Sequence, residues 1–356
     1  MSYQKIIDGN CEILFGKELW SQLSLVLTKI SPSQIFVLTD GNTEQDCLPY
    51  FDENFPRKWT YKHISIPFGE KNKTLTTCHQ VWNELSEAGA DRKSILINLG
   101  GGVVCDLGGF VASTYMRGIS WINIPTTLLS MVDASVGGKT GVDFNGIKNL
   151  IGIIRNPLMV GIDSTFLQTL TLRERKSGFA EMLKHALLSN KEHWEALQSI
   201  DLEKLQDIDK YIYKSIQIKH AVVSKDRNET GLRKQLNFGH TIGHAIESYY
   251  LNNENPILHG EAIAVGMLIE LYLSVTLLRC PESILERYTK MILKTYSKLP
   301  IQDSDINEII KILAFDKKNE KGKINFVLLH NFGKPEIDCQ VSNSAIQQAI
   351  RYYKKV

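Results

Sequence analysis

The sequence predicts an α/β chain in two parts: a mostly parallel sheet covered by helices, then a mainly helical second half. Three observations carry that expectation. Short β-branched and apolar runs alternate with helical patterns up to about residue 170. The run Ile95-Leu96-Ile97-Asn98-Leu99 is almost wholly apolar, as a strand buried on both faces is. Beyond Thr171 the pattern changes to long helical stretches. Alternating strand and helix signals indicate a parallel sheet with crossover helices.

In chain order, residues 35–38 read as a strand that ends in the turn formers Thr39-Asp40-Gly41-Asn42. Residues 64–67 read as a second. Residues 74–88 have helical periodicity, with Thr74 as N-cap. Strands are then expected at 94–99, 121–125 and 158–162. Helices follow at roughly 173–190, 205–224, 239–251, 259–279 and 282–297, and residues 324–329 are the one strand expected in the second half. The domain boundary is placed near 166–172, giving domains of 1–170 and 171–356. No internal repeat is visible.

Bulk composition excludes several classes. A chain of 356 residues can bury two cores. Its net charge of +2, without a basic tract, argues against a nucleic-acid partner. The six cysteines are scattered and form no CxxC pair, so neither a metal cluster nor a redox motif is expected. The N-terminus lacks a signal-peptide apolar core, which points to a reduced, cytoplasmic protein. The longest apolar stretch, 262–278, is interrupted by Glu270 and falls short of the roughly 20 residues that span a bilayer. A buried helix is expected there, not a membrane segment.

Two sets of residues carry chemistry. The strand ending at Leu99 runs into Gly100-Gly101-Gly102-Val103-Val104-Cys105-Asp106. Such a turn exposes backbone N–H groups and aims a helix N-terminus at an anion, which suits a pyrophosphate and a Rossmann-like, dinucleotide-binding domain. The spacing is not GxGxxG, so the usual fingerprint is absent. A second Gly-rich stretch, Asp133 to Asp143, carries Lys139, and Lys148-Asn149 follows. Further on, Asn237-Phe238-Gly239-His240-Thr241-Ile242-Gly243-His244 puts two imidazoles on one helix face. His259 follows in Leu258-His259-Gly260-Glu261, and Glu181 and Lys184 lie one turn apart upstream. One Glu and two His make a three-ligand zinc site with an open position, and spacing alone leaves open which two histidines serve.

These motifs together resemble the 3-dehydroquinate synthase family of sugar-phosphate cyclases, from about Ile35 to Leu329. The most specific pieces are Gly100 to Asp106, Asp133 to Gly141, Phe179 to Lys184, Gly231 to Glu247 and His259-Gly260-Glu261. The resemblance implies Glu181, His240 and His259 as ligands of zinc or cobalt, with His244 catalytic. It implies an NAD site at Asp40, Asn42, Glu70, Lys73, Gly101, Gly102, Val103, Asp106, Thr126, Thr127, Lys139, Lys148, Phe166 and Thr169. It implies a catalytic and substrate set of Asp133, Lys139, Asn149, Lys184, Lys219, Glu229, Arg233, Asn237, His244 and Lys317 or Lys318. Arg117 matches an arginine that reaches the substrate phosphate from the other subunit of a homodimer. Cys105 departs from the small residue common at its position, and residues 251–256 read as a loop insertion. Asn237 is also readable as an N-cap, and Asp133 and Glu229 as partners of buried lysines.

The implied substrate is a sugar phosphate, 3-deoxy-D-arabino-heptulosonate 7-phosphate. The implied course is transient oxidation by NAD, phosphate loss by β-elimination, re-reduction, ring opening and aldol closure, in a cleft between the domains. Five cationic groups, Lys139, Lys184, Lys219, Arg117 and Arg233, suit a substrate bearing both carboxylate and phosphate. Three alternatives stand beside this reading: another sugar-phosphate cyclase, a metal-dependent polyol dehydrogenase of the same fold, and a non-catalytic sensor.

Overall fold

Parallel pairing dominates the first half, as the alternating pattern predicts. The computed structural model of the chain describes residues 3–251, 256–314 and 324–356. Among the described residues nine strands lie in the first half: β1 (Ile6–Asp8), β2 (Cys11–Phe15), β3 (Ile35–Asp40), β4 (Lys62–Ile66), β5 (Ile95–Gly100), β6 (Ser120–Pro125), β7 (Lys139–Phe144), β8 (Ile147–Ile154) and β9 (Met159–Ile162). Seven form one sheet in the order β1-β2-β9-β6-β5-β3-β4. Only β1 and β2 pair antiparallel in it. β5 and β9 are buried along their whole length, which is why they read as continuous apolar runs. Phe36, Leu38, Ile64, Leu96, Leu107 and Trp121 anchor the core between sheet and helices.

The expected helix at 74–88 is Leu75–Glu87, and Thr74 caps it by accepting from the Thr77 N–H. The stretch from Lys139 onward, read as a Gly-rich loop, is instead a two-stranded hairpin of β7 and β8. Its two-residue turn, Asn145-Gly146, has both φ angles positive (51° and 76°). Asn-Gly between alternating apolar residues is the type I′ hairpin signal; the density of glycine obscured it.

The chain divides into two units, Met1–Thr171 with Asp207–His220, and Leu172–Gln206 with Ala221–Val356. Within the second, the expected helices are Leu172–Leu187, Ile208–Val223 (through His220 in the first unit), His240–Tyr250, His259–Leu278 and Glu282–Thr295. Helices Asp303–Ala314 and Asn343–Lys355 add to them. The expectation of one strand there is corrected: β10 (Asn325–Asn331) pairs with β11 (Lys334–Gln340). β11 is polar and half exposed, so it carries no apolar signal. The apolar helix His259–Leu278 is mostly buried, packed among Leu172–Leu187, His240–Tyr250, Glu282–Thr295, Asn343–Lys355 and β10. A helix surrounded on all sides is apolar all round.

Candidate active site

In the first unit, β5 runs directly into helix Gly102–Thr114, with Gly101 as the N-cap. Glycine is required there by close approach. A Cβ on Gly100 would lie 2.6 Å from the Val104 side chain, and one on Gly101 would lie 3.0 Å from the Thr127 methyl. Thr126 donates its N–H to the Gly100 carbonyl at 3.0 Å, which brings Thr126 and Thr127 beside the glycine turn. Gly102 and Val103 sit half-buried in the first turn of the helix.

A charged network lies along one flank of this helix. The buried Lys73 ammonium is 3.0 Å from Glu70, 3.4 Å from Asp106 and 3.7 Å from Asp143, and Lys148 is 3.2 Å from Glu70. Asp143 also accepts the Asn149 N–H at 2.8 Å. Burial pushes the Asp106 carboxyl up to about 6, an effect that Lys73 only partly offsets. Burial would lower Lys73, but the surrounding carboxylates raise it, so it stays an ammonium. Thus Glu70, Lys73, Asp106, Lys148 and Asn149 are brought together. Asp143 joins them although the sequence reading gave it no role.

Asp40 ends β3 and caps helix Gly41–Asp46 through a reciprocal pair with Thr43. Asn42 is exposed in that helix. Phe166 packs edge-on against Tyr50, with ring centroids 5.2 Å apart, and its carbonyl accepts the Thr169 hydroxyl at 3.0 Å. Lys219 donates to the Asp133 carboxylate at 2.8 Å and to its carbonyl at 2.5 Å. Lys139 opens β7 and is exposed, as is Arg117. Arg117 and Asn149 both hold positive φ, 67° and 50°. Strain of that kind persists only where surrounding structure fixes it.

In the second unit three helices supply one cluster. Glu181 and Lys184 are buried on Leu172–Leu187 and ion-paired to each other. His240 opens His240–Tyr250 and His259 opens His259–Leu278. Both Nε2 atoms lie 3.6 Å from Glu181 Oε1. Ligands about 2.0–2.1 Å from a shared tetrahedral ion sit roughly 3.3 Å apart, so this donor set fits a divalent ion. The far nitrogens are held as such ligands require: His240 Nδ1 by the Phe238 carbonyl at 3.1 Å, His259 Nδ1 by Glu247 at 3.2 Å. Burial alone would lower His259; Glu247 and Glu181 outweigh it and push it up to about 9. His244, one turn on, has its ring centroid 5.1 Å from that of His240 and 5.8 Å from that of His259. His244, Glu247 and His259 also form a close group, so distance alone admits His244 as a donor. The shared oxygen of Glu181 favours the first set.

Asn237 is not the N-cap. It ends the short 3-10 helix Leu232–Asn237 and donates to Glu229 at 2.5 Å; Gly239 caps the next helix. Glu229, readable as a partner of a buried lysine, accepts this bond from an amide. Glu229 has a φ of 58°. Arg233 is buried and donates to the Arg227 carbonyl at 2.7 Å. The loop carrying both is organised by Asp226, which accepts three backbone N–H groups. The N–H groups of Arg233, Gly231 and Thr230 lower its carboxyl to about 2. Asp226 gave no signal in the sequence beyond a turn-forming residue type. Glu247, three residues after His244, could have been found by helical spacing. Lys317 and Lys318 lie outside the described residues, as does most of the 251–256 loop.

Two family descriptions match in succession: 3-dehydroquinate synthase N-terminal over residues 63–177, and 3-dehydroquinate synthase C-terminal over 178–319. The chain belongs to the 3-dehydroquinate synthase family. A 3-dehydroquinate synthase from Parabacteroides distasonis is 40% identical over 100% of this chain and 99% of its own length. Among solved structures, a 2-deoxy-scyllo-inosose synthase complexed with carbaglucose-6-phosphate, NAD+ and Co2+ superposes with a TM-score of 0.85, at 26% identity over 98% of this chain and 99% of that one. A 2-epi-5-epi-valiolone synthase from Streptomyces hygroscopicus, with NAD+ and Zn2+ bound, shares the fold at a TM-score of 0.82 and 24% identity, over 100% and 99% of the two chains.

Proposed function

We propose that this chain converts 3-deoxy-D-arabino-heptulosonate 7-phosphate into 3-dehydroquinate and inorganic phosphate, as a carbon–oxygen lyase. The observation that carries the reading is the Glu181, His240 and His259 cluster, with both Nε2 atoms 3.6 Å from one carboxylate oxygen. When bound, NAD supplies a reversible hydride acceptor, and a zinc or cobalt ion supplies charge that favours loss of a hydroxyl proton.

The chain's own residues do the rest. Gly101, Gly102 and Val103 offer backbone N–H groups to the pyrophosphate. His244 takes the substrate hydroxyl proton at its imidazole, whose ordinary pKa lies near neutrality. Lys184 and Arg233 hold the substrate's anionic groups, with Asn237 and Glu229 as a joined pair that orients them. Lys139, Asn149 and Lys219 are the first unit's candidates for substrate binding, and Asp133 keeps Lys219 in place. The leaving phosphate is its own base for the neighbouring proton, so no further protein base is needed. The six cysteines are all free, which supports a reducing, cytoplasmic setting.

A homodimer is part of this proposal. Phe144, Ile147, Leu150 and Ile154 of one hairpin are each 40–47% exposed, an apolar surface that supports burial against a second copy. Arg117 then serves the partner's substrate. Mixing Arg117→Ala with a His244→Ala variant restores activity if the arginine acts across subunits.

The deciding experiment is phosphate release from the heptulosonate, with and without chelator, while absorbance at the NADH band is followed. The expected outcome is chelator-sensitive release without net NADH. Turnover of glucose 6-phosphate or sedoheptulose 7-phosphate in its place overturns the substrate, and stoichiometric NADH makes the chain a dehydrogenase.

A further inference from the structure

Glu270 is the acid that interrupts the apolar run of the longest helix, and the chemistry above does not use it. It is fully buried in the middle of His259–Leu278. Its two oxygens accept backbone N–H groups of the neighbouring helix: Gly239 to Oε2 at 2.6 Å and Ile242 to Oε1 at 3.3 Å. These are the N-cap and N3 positions of His240–Tyr250, whose donors have no partner within their own helix. An Asp or Ser at the N-cap would ordinarily accept the N3 donor, and a Glu at N3 the N-cap N–H. Here the N-cap is glycine at a φ of 80°, and a Cβ there would fall on the Met267 side chain. The cap must come from elsewhere, and Glu270 supplies it.

The consequence reaches His240 through one peptide unit. The N–H of Gly239 is held by Glu270, and the carbonyl of that same peptide, Phe238 C=O, holds His240 Nδ1 at 3.1 Å. A peptide whose N–H is bonded to a carboxyl group is polarised, so its carbonyl accepts more strongly. That keeps the ring proton on Nδ1 and leaves Nε2 for an ion. Glu270 also shares its helix with His259, so one side chain ties together the two helices that carry both imidazoles. The contact is close enough that a Cβ on Gly266 would fall on the Gly239 carbonyl oxygen.

We infer that Glu270 is a positioning residue for the metal centre, setting the orientation of the His240 imidazole through the Phe238–Gly239 peptide. The inference rests on the proposed ligand set. Its test is the zinc dissociation constant, measured by competition with a chromophoric chelator, together with the visible spectrum of the cobalt-loaded protein. Glu270→Gln keeps the shape but turns an amide N–H₂ toward one of the two donors. Zinc affinity is expected to fall about 10- to 100-fold, as for other groups that orient metal ligands, and the cobalt bands to shift. Ser274→Ala is the control: its hydroxyl is buried on the same helix and accepts the Leu329 N–H at 2.9 Å. That variant should lower the melting temperature and leave zinc affinity within about twofold, because Ser274 donates to the backbone carbonyl of Glu270 at 2.7 Å and not to the carboxylate that holds the Gly239 N–H.

A Glu270→Gln protein with unchanged zinc affinity and an unchanged cobalt spectrum makes Glu270 a structural cap only, and overturns the inference. Wild-type protein that binds no zinc fails the ligand set itself, which is a different outcome. Hydrogen exchange of the wild type gives an independent reading should the variant not fold. Zinc should slow the Gly239 and Ile242 amides more than those of helix Asn343–Lys355, and equal slowing overturns the inference.

Discussion

His240 and His244 lie one turn apart on a single helix, yet their surroundings differ. His240 has its Nδ1 held by a backbone carbonyl and its Nε2 turned to Glu181. His240→Ala should therefore abolish tight zinc binding, while His244→Ala should keep it and lose turnover by about 10²–10⁴-fold, the usual size of a general acid–base contribution. Metal content after gel filtration, set against phosphate release, separates the two; loss of zinc from His244→Ala reverses the assignment. Asp106 offers a pH signature. Its folded carboxyl keeps a proton to about pH 6, whereas the unfolded one releases it near the ordinary 3.8. Between those values the native state binds more protons, so this group makes stability fall as pH rises, and its penalty is complete above about 6. Asp106→Asn removes the titration. The variant should gain on the wild type by about 2 kcal/mol between pH 4 and 7, read from denaturant midpoints without NAD. The ligand-bearing residues were legible because their chemistry is concentrated in short spacings. Asp143 and Asp226 were not, because each acts on backbone or charge brought near only by folding.

At the scale of elements, the metal cluster depends on how closely helices approach. Gly260 donates its N–H to the Ser177 hydroxyl at 3.0 Å, and a Cβ there would fall on the Ser177 carbonyl oxygen. Helices His259–Leu278 and Leu172–Leu187 are therefore in backbone contact at the level of Glu181 and His259. Gly260→Ala must separate them. We expect a loss of about 1–3 kcal/mol from overpacking, with weaker zinc binding because Glu181 and His259 move apart. Thermal unfolding with and without chelator checks both effects, and a variant as stable as wild type with full zinc affinity would show that the helices can yield. Long helices and buried strands were readable because a single period, 3.6 or 2, dominates each. The β7–β8 hairpin and β11 were not. In the first, glycine masked a two-residue turn; in the second, a strand half exposed on a two-stranded sheet needs little apolar content.

For the whole molecule, the two constellations fall in different compact units. The glycine turn and the Lys73 network belong to Met1–Thr171 with its added segment, and the Glu181, His240 and His259 cluster belongs to the other unit. Anything that binds the native state alone stabilises the part it binds, by about 2.7 kcal/mol at 100 times its dissociation constant. NAD and zinc should thus leave distinct footprints. NAD is expected to slow amide exchange around Gly100 to Asp106 and in the β7–β8 hairpin, with zinc removed. Zinc is expected to slow it at the ends of helices His240–Tyr250 and His259–Leu278, with NAD absent. Local opening is measured unit by unit in such an experiment, because exchange reports sub-global stability and not only global unfolding. If zinc alone protected the glycine turn to the same extent as its own helices, the units would not respond separately. Stabilisation would then have to be assigned to the molecule as one cooperative body.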